Sequence, residues 1–109
     1  MNDFNNNIEF SFLYRDAGNY KTFSSVVFSN PTNLELENIR QIIQTSCNSN
    51  QNFEPNSWGI PNIFTEPYDP ELDHDWYEFS DVSETDQEPN DVRTLSEFLE
   101  IVKANVLEF

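Results

Sequence analysis

A chain of 109 residues fits one domain with a modest core and leaves no room for a deep cleft between lobes. Its 20 carboxylates against five basic residues give a net charge of −15, a balance that repels nucleic-acid phosphates and anionic membranes and draws basic partners at rates that fall with salt. Ten Phe and two Trp in a chain that is 37% hydrophobic exceed what a disordered acidic tail carries, so one folded domain over residues 1–109 is expected.

The amino terminus, "MNDFNNN", has neither the basic nor the apolar region of a signal peptide, and a cytoplasmic location is expected. From residue 8 to 14, Ile8, Phe10, Phe12 and Tyr14 alternate with Glu9, Ser11 and Leu13, the period of a half-buried strand. Residues 16–19, "DAGN", suit a turn, and "YKTFSSVVF" restores β-branched and aromatic content, so the two strands form an antiparallel hairpin. No aliphatic and aromatic run is longer than the three residues of "VVF", far too short to cross a bilayer.

Thr32 stands three residues before Glu35, the spacing of a capping box, and predicts a helix with Leu36, Ile39, Ile42 and Ile43 on one face. Cys47 follows near its end. As the single cysteine it excludes an intrachain disulfide and any Cys-x-x-Cys site, and it reads as a small buried hydrophobe. Residues 48–52, "NSNQN", form a surface loop, and prolines 55 and 61 interrupt regular structure before a short strand at residues 60–65. Thr94 and Glu97 make a second capping box, opening a helix whose stripe is Leu95, Phe98, Leu99, Val102 and Val106. The order β-β-α-β-β-α points to a two-layer α+β fold, an antiparallel sheet with both helices on one face.

Between the last strand signals and that helix lies the compositional outlier. Residues 66–91 hold eleven carboxylates and no Lys or Arg, and within them "DHDWYEF" carries the only histidine, His74. In an extended chain Glu71, Asp73 and Asp75 form a row of negative charges about 6.5 to 7 Å apart, close to the spacing of successive phosphates on one nucleic-acid strand. Leu72, His74 and Trp76 face the other way, and Tyr77 and Phe79 imply a shift of alternation at residues 76–77 through a bulge. The expected partner-binding set is therefore Glu71, Asp73, Asp75, Trp76, Tyr77, Glu78 and Asp81, acidic groups on an aromatic support.

Catalysis and cofactors are not expected. Carboxylates around His74 raise its pKa and make it a poor base, and no nucleophile motif or phosphate-cradling loop is present. Starting a calcium loop at Asp69 puts His74 where the sharp-turn glycine belongs and Ser80 where the bidentate glutamate belongs. Two readings compete with a binding surface: a metal-dependent small enzyme or sensor built on Asp73, His74 and Asp75, and a subunit of a larger assembly that covers the acidic segment permanently.

"YRDAGNYK", residues 14–21, and "DHDWYEF" together resemble a pattern in small uncharacterised acidic bacterial proteins of about this length, and that resemblance brings no activity with it. In size and acidity the chain is similar to nucleic-acid-mimic inhibitors, including anti-CRISPR and anti-restriction proteins, and to the immunity proteins of nuclease toxins. The similarity implies a non-enzymatic inhibitor of a basic nucleic-acid-processing protein, with no direct contact to nucleic acid or membrane. In that setting the pair Arg15 and Lys21 flanks the hairpin turn and offsets part of the acidic charge.

Overall fold

The computed structural model describes residues 7–15, 20–48, 51–60 and 76–106. Strand β1 (Asn7–Arg15) is the one the alternation predicts, with Ile8, Phe10, Phe12 and Tyr14 turned inward and almost wholly buried. It pairs antiparallel with β2 (Lys21–Phe28), Arg15 opposite Lys21 and Ile8 opposite Phe28. On its other side β1 pairs with β4 (Tyr77–Thr85), and the two-residue β3 (Asn52–Phe53) completes an antiparallel sheet in the order β2-β1-β4-β3. The expected α+β architecture is present.

A bulge lies within β4, while the shift of alternation expected at residues 76–77 depends on Leu72 and His74, which lie outside the described residues. Tyr77 and Phe79 already share one parity, whereas Val82, three residues after Phe79, is also buried. Only an extra residue between them can bring Val82 inward. The register shift opposite Ser11 and Phe12 supplies it, leaving Ser80 without a partner in β1. The strand expected at residues 60–65 is not found at its start: Ile60 is buried but follows a helical turn, and residues 61–65 lie outside the described ones.

Helix α1 (Leu36–Ser46) buries Ile39 and Ile43 against the sheet, but the capping box at its start is not formed. Asn33 sits in the left-handed region at φ 54°, so the chain cannot be helical from there, and N-cap Glu35 makes no side-chain cap. Asn30 organises the turn instead, its side chain accepting from Leu34 N–H and donating to Leu34 C=O, both at 3.1 Å. The Thr32 hydroxyl turns to Ser96.

Pro55 opens the one-turn helix α2 (Pro55–Trp58), where its missing N–H costs nothing. Gly59 ends it at φ 68°, a left-handed conformation that favours glycine, and a Cβ there would sit 2.9 Å from the Arg93 guanidinium, which would have to shift. Trp58 is thereby driven fully into the core, stacked on Phe53 with centroids 4.4 Å apart and its indole N–H donating to Asn105 C=O at 2.9 Å.

Helix α3 (Leu95–Ala104) buries Leu95, Phe98, Leu99 and Val102 and packs beside α1. Its capping box is reciprocal: Thr94 N–H donates to Glu97 at 2.8 Å and Glu97 N–H to the Thr94 hydroxyl at 3.2 Å. Thr94→Ala should lower stability by about 1 kcal/mol, read as a lower urea midpoint at unchanged slope. Val106 does not extend the stripe, because the helix stops two residues earlier and leaves it part-exposed. Cys47 is buried, and burial pushes its thiol up to about 12, so it serves as packing. No helix among the described residues is long and apolar enough to cross a membrane.

Candidate functional site

Of the expected aromatic support, Tyr77 is internal. Tyr77 is 2% exposed and lies nearly parallel to Phe12 at 5.6 Å, with Tyr14 and Phe53 meeting it edge-on. It fixes the start of β4 from within and presents no surface of its own. Trp76, immediately before the strand, is half-buried. Glu71, Asp73 and Asp75 lie outside the described residues, as does His74.

Glu78 and Asp81 diverge. Glu78 faces away from the helices and forms a two-point pair with Arg15 at 2.7 and 3.1 Å, a hydrogen bond that holds the guanidinium above its ordinary pKa. Asp81, just past the bulge, takes Arg40 of α1 at 2.8 Å, while Arg40 also holds Glu37 and the Val82 carbonyl. Partial burial pushes the Asp81 carboxyl up, but Arg40 and the Val82 N–H outweigh it and leave it below the usual range. Both pairs are part-exposed, so each contributes little to stability and mainly orients its side chains.

Four of the chain's five cations are consumed in this way. Arg15, Arg40, Arg93 and Lys103 each meet a carboxylate of their own chain, leaving Lys21 as the cation without an ion pair among the described residues. Arg93 is deepest: it grips Asp91, donates to the carbonyls of Trp58 and Gly59, and lies over the rings of Phe28 and Phe98. Asp91 therefore belongs to the framework rather than to an acidic surface.

Glu84, Asp86 and Glu88 are exposed at the end of β4 and in the turn beyond it, and none has an ion-pair partner among the described residues. These three lie beyond the expected partner-binding set, which ends at Asp81. Their signal was simple: they follow the last inward residue, Val82, so their strand and turn positions had no core to enter. Among the described residues no group of three or more His, Cys, Asp or Glu could hold a metal ion. What this surface offers chemically is fixed negative charge. No protein family matches the chain, and comparisons with curated proteins and with solved structures gave no match.

Proposed function

We propose that the protein is a non-enzymatic acidic binding protein that occupies the basic, nucleic-acid-binding surface of another protein by charge mimicry, in the manner of anti-CRISPR, anti-restriction or nuclease immunity proteins. The observation that carries this reading is the disposition of the cations. Four of five are paired within the chain, three of them arginines tied to a named carboxylate on another part of the fold or its own turn, so little positive charge remains to offset the other carboxylates. Carboxylates carried on a sheet and its connecting turn lose less ordering entropy on binding than those of a free tail.

Glu84, Asp86 and Glu88 form one part of the proposed surface, and Glu71, Asp73 and Asp75 the other. Glu78 and Asp81 contribute at its margins. A basic partner relieves the self-repulsion that so many like charges impose on the folded chain. A bacterial cytoplasm is the setting in which such a target is met.

The test is an affinity capture from native-source lysate at low salt, eluted by a salt gradient. Substituting Glu84→Gln, Asp86→Asn and Glu88→Gln together should weaken retention about 10-fold and move elution to lower salt, with the circular dichroism spectrum unchanged. A second variant, Asp73→Asn with Asp75→Asn, should act in the same direction. A captured basic nuclease or other nucleic-acid-binding protein would name the target. Equal retention of the wild type and both variants would remove charge mimicry as the basis of binding.

A further inference from the structure

The edge of the sheet at β2 is treated in two ways along its length. The Val27 N–H and C=O point away from β1 and are both held by Asn90, at 2.8 and 3.0 Å, and the Ser29 carbonyl accepts from Leu95 N–H at 2.8 Å. By the two-residue period of an antiparallel strand, Lys21, Phe23 and Ser25 turn their backbone groups the same way. Those groups have no hydrogen-bond partner among the described residues. Phe23 is 64% exposed beside this open edge.

The same stretch is exceptional in charge. Residues 17–34 contain no Asp or Glu, whereas residues 66–91 contain eleven. A surface selected to meet a basic partner gains from carboxylates. A surface that meets another copy of a −15 chain must lack them. Lys21 adds the complement: it shares the outer face of the sheet with Glu9, whose carboxylate accepts from the Ser25 hydroxyl at 2.8 Å.

We propose that the open edge of β2, from Lys21 to Ser25, pairs antiparallel with the same edge of a second copy, joining the two four-stranded sheets into one. A two-fold axis at Phe23 sets Phe23 beside its counterpart and Lys21 opposite Ser25 of the other copy. Each such pair is a hydrogen-bonded one, giving about six backbone bonds across the joint. Lys21 then reaches across the facing serine to the Glu9 carboxylate that rests on it, so the joint carries two cross-copy charge pairs and no like-charge contact. Asn90 marks where the pairing stops. The interaction is independent of the proposed basic target, and its salt dependence has the opposite sign: salt weakens attraction to a basic protein but screens repulsion between two acidic copies.

Sedimentation velocity of the full chain over a range of concentration and salt tests this. The dimer fraction should rise with salt, the dissociation constant falling about 10-fold or more from ~0.05 to ~0.5 M NaCl. Phe23→Glu sets two carboxylates together on the axis, and Phe23→Pro removes a donor at the centre of the joint; each should weaken the dimer at least ~10-fold. Because Phe23 is exposed, Phe23→Glu should preserve the fold by circular dichroism, and it decides the matter alone if the proline disturbs the strand. A monomer under all conditions, a dimer indifferent to Phe23→Glu, or a dimer that strengthens as salt is removed would overturn the proposal.

Discussion

Trp58→Ala is expected to lower stability by about 4 kcal/mol, enough to consume much of the ~5–15 kcal/mol that holds a domain of this size. Trp58 is fully buried, stacks on Phe53 at 4.4 Å, and meets Phe10 and Phe98 at 6.4 and 6.2 Å. Removing the indole leaves a cavity bounded by aromatic rings that are held from other elements and cannot collapse into it. It also leaves the Asn105 carbonyl without the donor it now has. Trp58→Phe keeps a ring against Phe53 and should cost clearly less, about 1 to 2 kcal/mol, chiefly the lost hydrogen bond and partial void. Urea titrations of the three proteins should therefore rank wild type, Trp58→Phe, Trp58→Ala in falling midpoint. Equal midpoints for the two variants would mean that ring stacking contributes nothing at this site.

The importance of Trp58 was not legible in the sequence, and the reason is one of scale. A one-turn helix has no period to detect, and β3, with two residues, has none either. Where an element is long enough to repeat its pattern, as in β1 and α3, the residues read correctly: Phe10 and Phe12 alternate inward, and Leu95, Phe98, Leu99 and Val102 share a face. Local signals also failed where a neighbour vetoed them. The Thr32 and Glu35 spacing was suitable, but Asn33 between them adopts positive φ and the helix begins after it.

The acidic stretch shows the same division. Its composition was plain, but which carboxylates keep an outward charge depends on pairings across 63 residues for Arg15 with Glu78 and 41 for Arg40 with Asp81. No window on the sequence contains both partners. The bulge at Ser80 compounds this, because one extra residue takes Asp81 off the inward parity of Tyr77 and Phe79, and its partner Arg40 then comes from α1, a separate element. Thus the size of the negative charge follows from counting residues, and its placement follows from topology.

Arg93→Ala should cost about 3 kcal/mol at neutral pH, more than any other single change on the charged side of the molecule. The guanidinium holds both oxygens of Asp91, at 3.0 and 2.8 Å, and reaches the Trp58 carbonyl at 2.7 Å and the Gly59 carbonyl at 3.1 Å. Its pair with Asp91 is largely buried, so alanine strands a carboxylate where water reaches it poorly. Arg93→Lys should recover little, since one ammonium cannot span Asp91, two carbonyls and two rings. The acid side gives an independent reading. Hydrogen bonds from Arg93 hold the Asp91 carboxyl below its ordinary range despite partial burial, so the folded state binds that proton less readily than the unfolded chain. The resulting stabilisation is complete above about pH 4, the unfolded value, and is lost as pH falls through the lower folded one. Because the other carboxylates titrate in the same range and relieve repulsion as they do, the quantity to measure is the difference between wild type and Asp91→Asn. That difference should shrink as pH drops below about 4 and stay level from there to neutrality, whereas a difference constant through the acid range would show that Arg93 does not favour the charged form of Asp91.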